Sequence, residues 1–157
     1  EVKNTDAEGR LILADALTYA QEKGATRLID LATLTGACVT ALGSVRTGMV
    51  GNDQEWMNRF FKVATEAHEK IWQLPADEEY ESPLKSSVAD MKNVGGPEAG
   101  AITAGLFLKQ FVKEGTPWIH LDIAGPAFRE KADETGFIGA TGVGIKSILH
   151  LLQGGVQ

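Results

Sequence analysis

Two short aliphatic runs constrain the fold more than any other feature of this sequence. The runs span Arg27–Leu34 and Trp118–Ala124, and a glycine closely follows each of them, at Gly36 and Gly125. Continuous apolar runs of this length between turn residues are typical of strands buried on both faces of a sheet. A sheet covered on both faces needs a layer of helices on each side, so the sequence predicts an α/β protein.

Helical patterns alternate with these strands. Apolar residues recur at three- and four-residue spacing, which is the period of an amphipathic helix. The predicted helices span Ala7–Lys23, the Thr35-Gly36 turn to Leu42, Asp53–Lys70, Ala99–Val112 and Gly142–Leu152, with a further short strand at Thr47–Gly51. Glycines, prolines and charges break the pattern between Gln73 and Gly100, which predicts a long loop with at most short helices. We therefore expect a mixed, mainly parallel sheet sandwiched by helices, with ligands at the carboxyl ends of the strands.

Composition limits the partners of this chain. Its 157 residues fit one domain, and its 15 basic against 21 acidic side chains give a net charge of −6. With no concentrated basic patch, this charge argues against a nucleic-acid partner. No apolar run is long enough to span a bilayer, which argues against a membrane partner. The single cysteine, Cys38, cannot form an intrachain disulfide, and this favours the reducing cytoplasm.

The densest polar cluster covers Asn4–Arg10, at the start of the first predicted helix. One interpretation is structural: Thr5 and Glu8 have the spacing of a helix capping box, and Asp6 complements the helix dipole. The other is a metal site, because two carboxylates so close together can bind a divalent cation, with Arg10 holding an anionic oxygen beside it. Residue types and spacing alone leave both interpretations open.

The same cluster resembles a known family. Asn4–Leu11, with the sequence NTDAEGRL, resembles the signature octapeptide of the leucyl aminopeptidase family, the two-metal cytosolic aminopeptidases also called M17 peptidases. The resemblance continues in register through Asp30–Ala37, Leu84–Ser86 with Ala89-Asp90 and Asn93, Gly100–Ala104, His120–Gly125 and Gly139–Gly142. It covers residues 4 to 152 and implies that the chain, residues 1–157, is the C-terminal portion of that family's catalytic domain.

The resemblance implies a role for each residue of the octapeptide that carries chemistry. Asp6 would bind the more exchangeable of two divalent metals, zinc or manganese, through its carboxylate and main-chain carbonyl. Glu8 would bridge the two metals. Gly9 and Arg10 would bind a bicarbonate ion, and Arg10, as the catalytic arginine, would thereby assist deprotonation of the attacking water.

The resemblance also implies a substrate site and an assembly. The backbone of Thr33 and Leu34 would bind a peptide, while Thr33, Gly36 and the Ala140 region would line the pocket for a leucine-like N-terminal side chain. The reaction is the release of N-terminal amino acids from peptides. The family further implies a homohexamer whose active sites face an interior cavity.

Part of the family pattern has no counterpart in this sequence. The family takes a lysine and two aspartates as further metal ligands, and a second catalytic lysine, from a segment upstream of the octapeptide. Only Glu1, Val2 and Lys3 precede Asn4, and Lys3 is too close in sequence to be either lysine. We therefore expect the upstream catalytic segment and the N-terminal domain to be absent, the chain alone to be inactive or nearly so, and an exposed sheet edge or apolar face to remain. The lack of an initiating methionine suggests a processed or excised piece.

Three lesser candidates have structural interpretations that we favour. His120 and Asp122 alternate on one strand and face the same side, as a ligand pair would, but buried hydrogen-bonded support is commoner. Cys38 lacks a neighbouring cation that would activate it as a nucleophile, so it is predicted to be a small packed side chain. The turn at Gly142–Gly144 lacks the other residues of a phosphate-binding loop and is predicted to provide close backbone packing.

A rival function belongs to a different class. In it, Thr5, Asp6 and Glu8 only cap a helix, and the domain is a non-catalytic α/β oligomerisation or binding module. The metal interpretation and this one differ in what removal of Asp6 or Glu8 should cost: catalysis in the first case, helix stability in the second.

Overall fold

The computed structural model describes residues 1–132 and 136–154. Its α-helices are α1 (Glu8–Glu22), α2 (Gly36–Leu42), α3 (Gln54–Glu66), α4 (Gly100–Lys109) and α5 (Ile145–Gln153). Its strands are β1 (Leu28–Ala32), β2 (Thr47–Gly51), β3 (Ile71–Gln73), β4 (Trp118–Asp122), β5 (Phe128–Arg129) and β6 (Gly139–Ala140). Two 3₁₀ helices cover Thr5–Ala7 and Glu78–Leu84. The predicted α/β class is confirmed.

The main sheet is mixed and has the strand order β1-β4-β2-β3. β1 and β4 run parallel, with Asp30 opposite His120, and β2 and β3 are also parallel. β2 and β4 are antiparallel, with Val50 opposite His120. In the part of the chain that the structure describes, β1 and β3 lie at the two edges. The carboxyl ends of β1 and β4 therefore lie side by side. Ligands of α/β sheets bind at the carboxyl ends of the strands.

Helices cover both faces of this sheet. Trp118 points to the face covered by α1 and α4, where it packs with Leu17 and Leu106. The next residue of the strand, Ile119, points to the opposite face and packs with Phe60 of α3 and Leu151 of α5. This alternation is the two-residue period of a strand, and it divides the apolar core into two layers.

β4 and β2 are buried along their whole length, as the aliphatic runs predict. β1 departs from that prediction: only Leu28 is buried, and the strand ends at Ala32 rather than Leu34. The physical reason is its position, because an edge strand is covered on fewer sides than a central one. The following residues, Thr33 and Leu34, form a loop between β1 and α2.

Other boundaries also differ from the sequence prediction. α3 ends at Glu66 rather than Lys70, because His68 adopts a positive φ of 59° that a helix does not allow. β3, β5 and β6 were not predicted, since strands of two or three residues carry too little periodic pattern to be recognised. The loop that precedes β6 includes residues 133–135, which lie outside the described residues.

The predicted capping box at Thr5 and Glu8 is wrong. Thr5 already lies inside a 3₁₀ turn, and the capping side chain is that of Asn4, which accepts a 2.9 Å hydrogen bond from the N–H of Asp6. The N-cap position of α1 is Ala7, which has no side chain able to cap. No helix among the described residues is long and apolar enough to cross a membrane.

Candidate metal and substrate site

Two carboxylates lie exposed at the start of α1. Asp6 is in the 3₁₀ turn and Glu8 is the first residue of the helix, and both side chains face solvent. Within the described ranges, their carboxylates form no hydrogen bond or ion pair with the protein. The backbone between them is fixed, because Asn4 caps the turn and Ala7 is buried. Asp6 and Glu8 are therefore oxygen donors on an ordered backbone, available to a cation.

Arg10 points the other way, into the protein. Its side chain is 8% exposed, and its Nη1 donates a 2.8 Å hydrogen bond to the carbonyl oxygen of Asn93. Its Nε is buried without a partner among the described residues. Burial lowers the pKa of Arg10, and the negative charge of Asp122 partly offsets that effect. No ion pair joins Arg10 to Asp6 or Glu8 in the described structure, so the guanidinium keeps donors that an anion can use.

The segment before α1 is held by a residue far away in sequence. Asn93 lies in the long loop before α4 and is only 2% exposed. Its side-chain oxygen accepts hydrogen bonds from the N–H groups of Lys3 and Asn4, at 2.9 and 3.4 Å. Its side-chain nitrogen donates to the carbonyl oxygen of Asn4 at 2.7 Å. The sequence resemblance includes Asn93 but gives it no role.

The loop after β1 is fixed by a carboxylate at the end of β4. Asp122 is 2% exposed and accepts hydrogen bonds from the N–H of Leu34 at 3.2 Å and the hydroxyl of Thr35 at 2.7 Å. A contact between Leu34 and a peptide would therefore use the carbonyl oxygen, since the N–H is already engaged. Thr33 in this loop and Gly36, the first residue of α2, are exposed.

α1 and this loop lie next to each other. A Cβ placed on Gly9 would lie 3.7 Å from Cδ1 of Leu34, which is ordinary van der Waals contact. Gly9, which lies between Glu8 and Arg10, therefore lies near the side chain of Leu34, in the loop predicted to bind the substrate. This proximity links Asp6–Arg10 to Thr33–Gly36.

Ala140 is connected to the carboxyl ends of β1 and β4 through the small sheet of β5 and β6. It is exposed and pairs with Phe128 in the two-stranded sheet of β5 and β6. The N–H of Thr141 donates to Ala127, whose own N–H donates to Ile123 just after β4. Ile123 in turn donates to the carbonyl oxygen of Ala32 at the end of β1. A chain of backbone hydrogen bonds therefore connects the Ala140 region to the carboxyl ends of β4 and β1.

The residues present fit part of a metal centre. Asp6 and Glu8 are hard oxygen donors, and divalent cations such as manganese and zinc accept carboxylate ligands. Among the described residues, however, no group of three or more His, Cys, Asp or Glu side chains could hold a metal ion. Two carboxylates do not complete the coordination of one metal, and still less of two.

The lesser candidates have the structural roles that we favour. Cys38 is fully buried, and burial, with a smaller contribution from Asp122, raises its pKa to about 11, which opposes nucleophilic chemistry. His120 is 1% exposed, and its Nδ1 lies 2.5 Å from Oδ1 of Asp30 on the neighbouring strand. Oδ2 of Asp30 accepts a 2.7 Å hydrogen bond from the indole of Trp118, so the carboxylate supports two side chains of β4.

The turn at Gly142–Gly144 packs closely against β1, as predicted. Gly144 has a φ of 89°, and a Cβ there would lie only 2.6 Å from Cδ2 of Leu31. Its N–H donates to the carboxylate of Glu69, which also accepts hydrogen bonds from the N–H and hydroxyl of Ser147. The amino end of α5 is thus already occupied by a carboxylate of the protein, which argues against a phosphate there.

Comparison with known proteins identifies the family. The model of the cytosol aminopeptidase family, catalytic domain, matches residues 1–149. The chain belongs to the cytosol aminopeptidase family. A "Probable cytosol aminopeptidase" of Koribacter versatilis is 54% identical over 153 residues, which cover 98% of this chain and 30% of that protein. One of Alkaliphilus oremlandii is 53% identical with the same coverage. The chain thus spans about 30% of the length of these cytosol aminopeptidases.

Solved structures agree with this family. A mutant of tomato leucine aminopeptidase superimposes with a TM-score of 0.90 at 46% identity, over 99% of this chain and 30% of that one. The bottromycin maturation enzyme BotP, in complex with Mn, gives a TM-score of 0.92 at 34% identity, over 98% of this chain and 35% of that one. The cytosol aminopeptidase fold therefore accounts for nearly all of the described elements.

Reasoning from sequence missed the residues that support this site. Asp122 was considered only as a partner of His120, whereas it fixes the loop that follows β1. Asn93 and Glu69 received no role at all. Their partners lie 75 or more residues away in sequence, so no local motif reveals these contacts.

Proposed function

We propose that this chain forms part of a metal-dependent aminopeptidase that releases leucine-like N-terminal residues from peptides. The observation that carries the proposal is the position of the Asp6–Arg10 turn. Gly9 lies near the side chain of Leu34 in the loop after β1, so the segment that carries the candidate metal-binding carboxylates is next to the loop that would hold a peptide. Membership of the cytosol aminopeptidase family supports the same reaction.

Asp6 and Glu8 are the residues that would hold metal, with Glu8 bridging two ions. A pair of bound zinc or manganese ions would supply Lewis-acid polarisation of the scissile carbonyl and an activated water. BotP in complex with Mn makes manganese a reasonable first choice. The family resemblance assigns the remaining ligands to a segment upstream of the octapeptide, so we propose that the 157-residue chain alone is inactive or nearly so.

Arg10 supplies a fixed, buried positive charge two residues along α1 from Glu8. With Gly9, it would bind bicarbonate as the anionic proton acceptor. Its guanidinium suits this role because burial and the bond to Asn93 hold it in one position, while its Nε has no hydrogen-bond partner among the described residues. An anion bound by Arg10 would serve as the proton acceptor for the attacking water during hydrolysis.

The loop and the Ala140 region would bind the substrate. The carbonyl oxygen of Leu34 accepts a hydrogen bond from the peptide, while Thr33, Gly36 and Ala140 surround its first side chain. A pocket of small residues favours an uncharged, leucine-like group, because a charged side chain would lose hydration there. We further propose that the whole enzyme is a cytoplasmic homohexamer, which sedimentation of the whole protein will test.

The experiment is hydrolysis of a leucine chromogenic amide in the presence of manganese or zinc and bicarbonate. We compare the 157-residue chain with the whole protein that contains it, each unmodified and with Asp6→Ala or Glu8→Ala. Asp15→Ala is the matched control, because Asp15 is another exposed carboxylate on α1. The proposal expects both site variants of the whole protein to lose activity at unchanged melting temperature, and Asp15→Ala to keep it.

Two results would contradict parts of the proposal. If the site variants keep full activity but lose about 1 kcal/mol of stability, the carboxylates only support the helix, as in the rival binding module. If the 157-residue chain alone turns over substrate and Glu8→Ala abolishes this, the metal site is complete without further ligands.

A further inference from the structure

The side chain of Asn93 pairs with the backbone of Asn4 as a neighbouring strand would. Its amide nitrogen donates to the carbonyl oxygen of Asn4 at 2.7 Å, and its amide oxygen accepts from the N–H of Asn4 at 3.4 Å. The same oxygen accepts a shorter bond, 2.9 Å, from Lys3. One side chain therefore satisfies three backbone groups of the segment that leads into the candidate metal site.

One further hydrogen bond connects Asn4 to Asp6. The side-chain oxygen of Asn4 accepts a 2.9 Å hydrogen bond from the N–H of Asp6. A shift of the Asn4 backbone would move this oxygen and release the turn. Asn93 thereby controls the position of a candidate metal ligand that it does not touch.

The backbone of Asn93 fixes the other half of the site. Its carbonyl oxygen accepts the 2.8 Å hydrogen bond from Nη1 of Arg10. This is a charge-assisted bond inside the protein, where such bonds are strong. The orientation of the Arg10 guanidinium thus depends on where Asn93 lies.

Asn93 also has the burial that a fixed support requires. It is 2% exposed, and its N–H donates a 3.0 Å hydrogen bond to the carbonyl oxygen of Glu1. It lies about 90 residues from its partners, so these contacts do not form as part of a local turn. A buried amide with every polar atom satisfied holds a single geometry.

We propose that Asn93 is a positioning residue that holds the Asp6 turn and Arg10 in the arrangement needed for metal and anion binding. This proposal rests on the proposed aminopeptidase function and adds a residue to it. Residues that orient metal ligands through hydrogen bonds, without touching the metal, commonly contribute tenfold or more to metal affinity.

The test uses Asn93→Ala and Asn93→Asp in the whole protein that contains these residues. The aspartate keeps the oxygen facing Lys3 but replaces the donor to Asn4 with an oxygen, which repels the Asn4 carbonyl. Asn52→Ala is the matched control. The side chain of Asn52 likewise bridges backbone groups of Thr116 and Trp118, at 2.9 and 2.8 Å, but at the opposite end of the sheet.

Three quantities are measured for each variant: the Mn²⁺ dissociation constant by calorimetry, kcat and KM for a leucine amide, and hydrogen exchange of the Lys3 and Asp6 amides. Asn93→Ala and Asn93→Asp should each raise the Mn²⁺ dissociation constant about tenfold or more and lower kcat more than they raise KM. Exchange protection at Asp6 should be lost in both variants, and that at Lys3 in Asn93→Ala, which removes its acceptor oxygen. Asn52→Ala should change only the melting temperature.

Two results would overturn the proposal. If Asn93→Ala lowers the melting temperature as Asn52→Ala does but leaves Mn²⁺ binding and kcat within about twofold, Asn93 only stabilises the fold. If Lys3 and Asp6 stay protected in Asn93→Ala, the turn does not depend on it. Failure of the proposed function gives a different result, because the unmodified protein would then neither bind Mn²⁺ nor hydrolyse the amide. The exchange measurement would still decide whether Asn93 holds the turn.

Discussion

The hydroxyl of Thr35 donates a 2.7 Å hydrogen bond to Oδ2 of Asp122, from which it is separated by 87 residues. The same hydroxyl accepts a 3.0 Å hydrogen bond from the N–H of Cys38 and so caps α2. Both Thr35 and Asp122 are buried. One contact therefore fixes the end of β4, the loop after β1 and the first turn of α2 relative to one another.

We expect Thr35→Val to lower the free energy of unfolding by about 2 kcal/mol, because it removes a helix cap and the donor to a buried carboxylate. Urea denaturation measures this change. Thr35→Ser keeps the hydroxyl and should cost much less. Thr40→Val is the second control, since its exposed hydroxyl bonds only to Gly36 of its own helix. Equal stability of Thr35→Val and Thr40→Val would contradict the expectation.

Glu69→Gln should destabilise the packing of α5 on α3. The carboxylate accepts hydrogen bonds from the backbone of Gly144 and Ser147, and from the Ser147 hydroxyl, at the positive end of the α5 dipole. Loss of the charge and of one acceptor should lower stability by about 1 to 2 kcal/mol, measured by thermal unfolding. Glu66→Gln, at the exposed end of α3, should stay within about 0.5 kcal/mol of the unmodified protein. If Glu69→Gln has the same melting temperature as Glu66→Gln, the Glu69 carboxylate is not needed for stability.

The buried thiol of Cys38 should make stability depend on pH in the alkaline range. Burial raises its pKa from 9.0 to about 11, so the folded protein retains the thiol proton where the unfolded chain has lost it. The stabilising contribution is full below pH 9 and is lost as the pH rises towards 11. Cys38→Ala should therefore show a smaller fall in the urea midpoint between these pH values. Identical slopes for the two proteins would refute a raised pKa.

Gly105→Ala should destabilise α4 against β2, although alanine is usually the better helix former. A Cβ on Gly105 would lie 2.8 Å from Cβ and Cγ1 of Val50 and 2.9 Å from its Cγ2, all of which is too close, and Val50→Ala removes the two γ carbons. Overpacking of this kind costs about 1 to 3 kcal/mol. The double variant Gly105→Ala with Val50→Ala should recover part of that loss, which a double-mutant cycle measures. Strictly additive effects would mean that the two residues do not compete for space.

Local pattern predicts the elements of this fold better than it predicts their pairing. The bounds of β2, Thr47–Gly51, follow from sequence because the strand is short and glycine ends it. The antiparallel pairing of β2 with β4 does not, since a buried strand has the same pattern in either direction. The overlong prediction for α3 has a tertiary cause, because the residues after Glu66 turn so that Glu69 can cap α5.

The residues of the candidate site, like the elements of the fold, can be predicted from local sequence, whereas their arrangement cannot. Asp6, Glu8 and Arg10 lie in one octapeptide, so the sequence alone identifies them as candidates. The cap provided by Asn4 instead of Thr5 depends on where the backbone enters its 3₁₀ turn, and Asn93 determines that from 89 residues away. The motif therefore identifies the candidate residues of the site, whereas the geometry of these residues is set by long-range contacts.

The parallel pairing of β1 with β4 has a consequence for synthesis of the protein. Asp30 and His120 are 90 residues apart, so β1 leaves the ribosome long before the strand that pairs with it has been made. At bacterial or eukaryotic elongation rates this interval is about 5 to 20 s. During that time Ile29 and Leu31 lack the β4 strand that later pairs with theirs, so we expect chaperones that bind extended apolar segments to recognise the nascent chain.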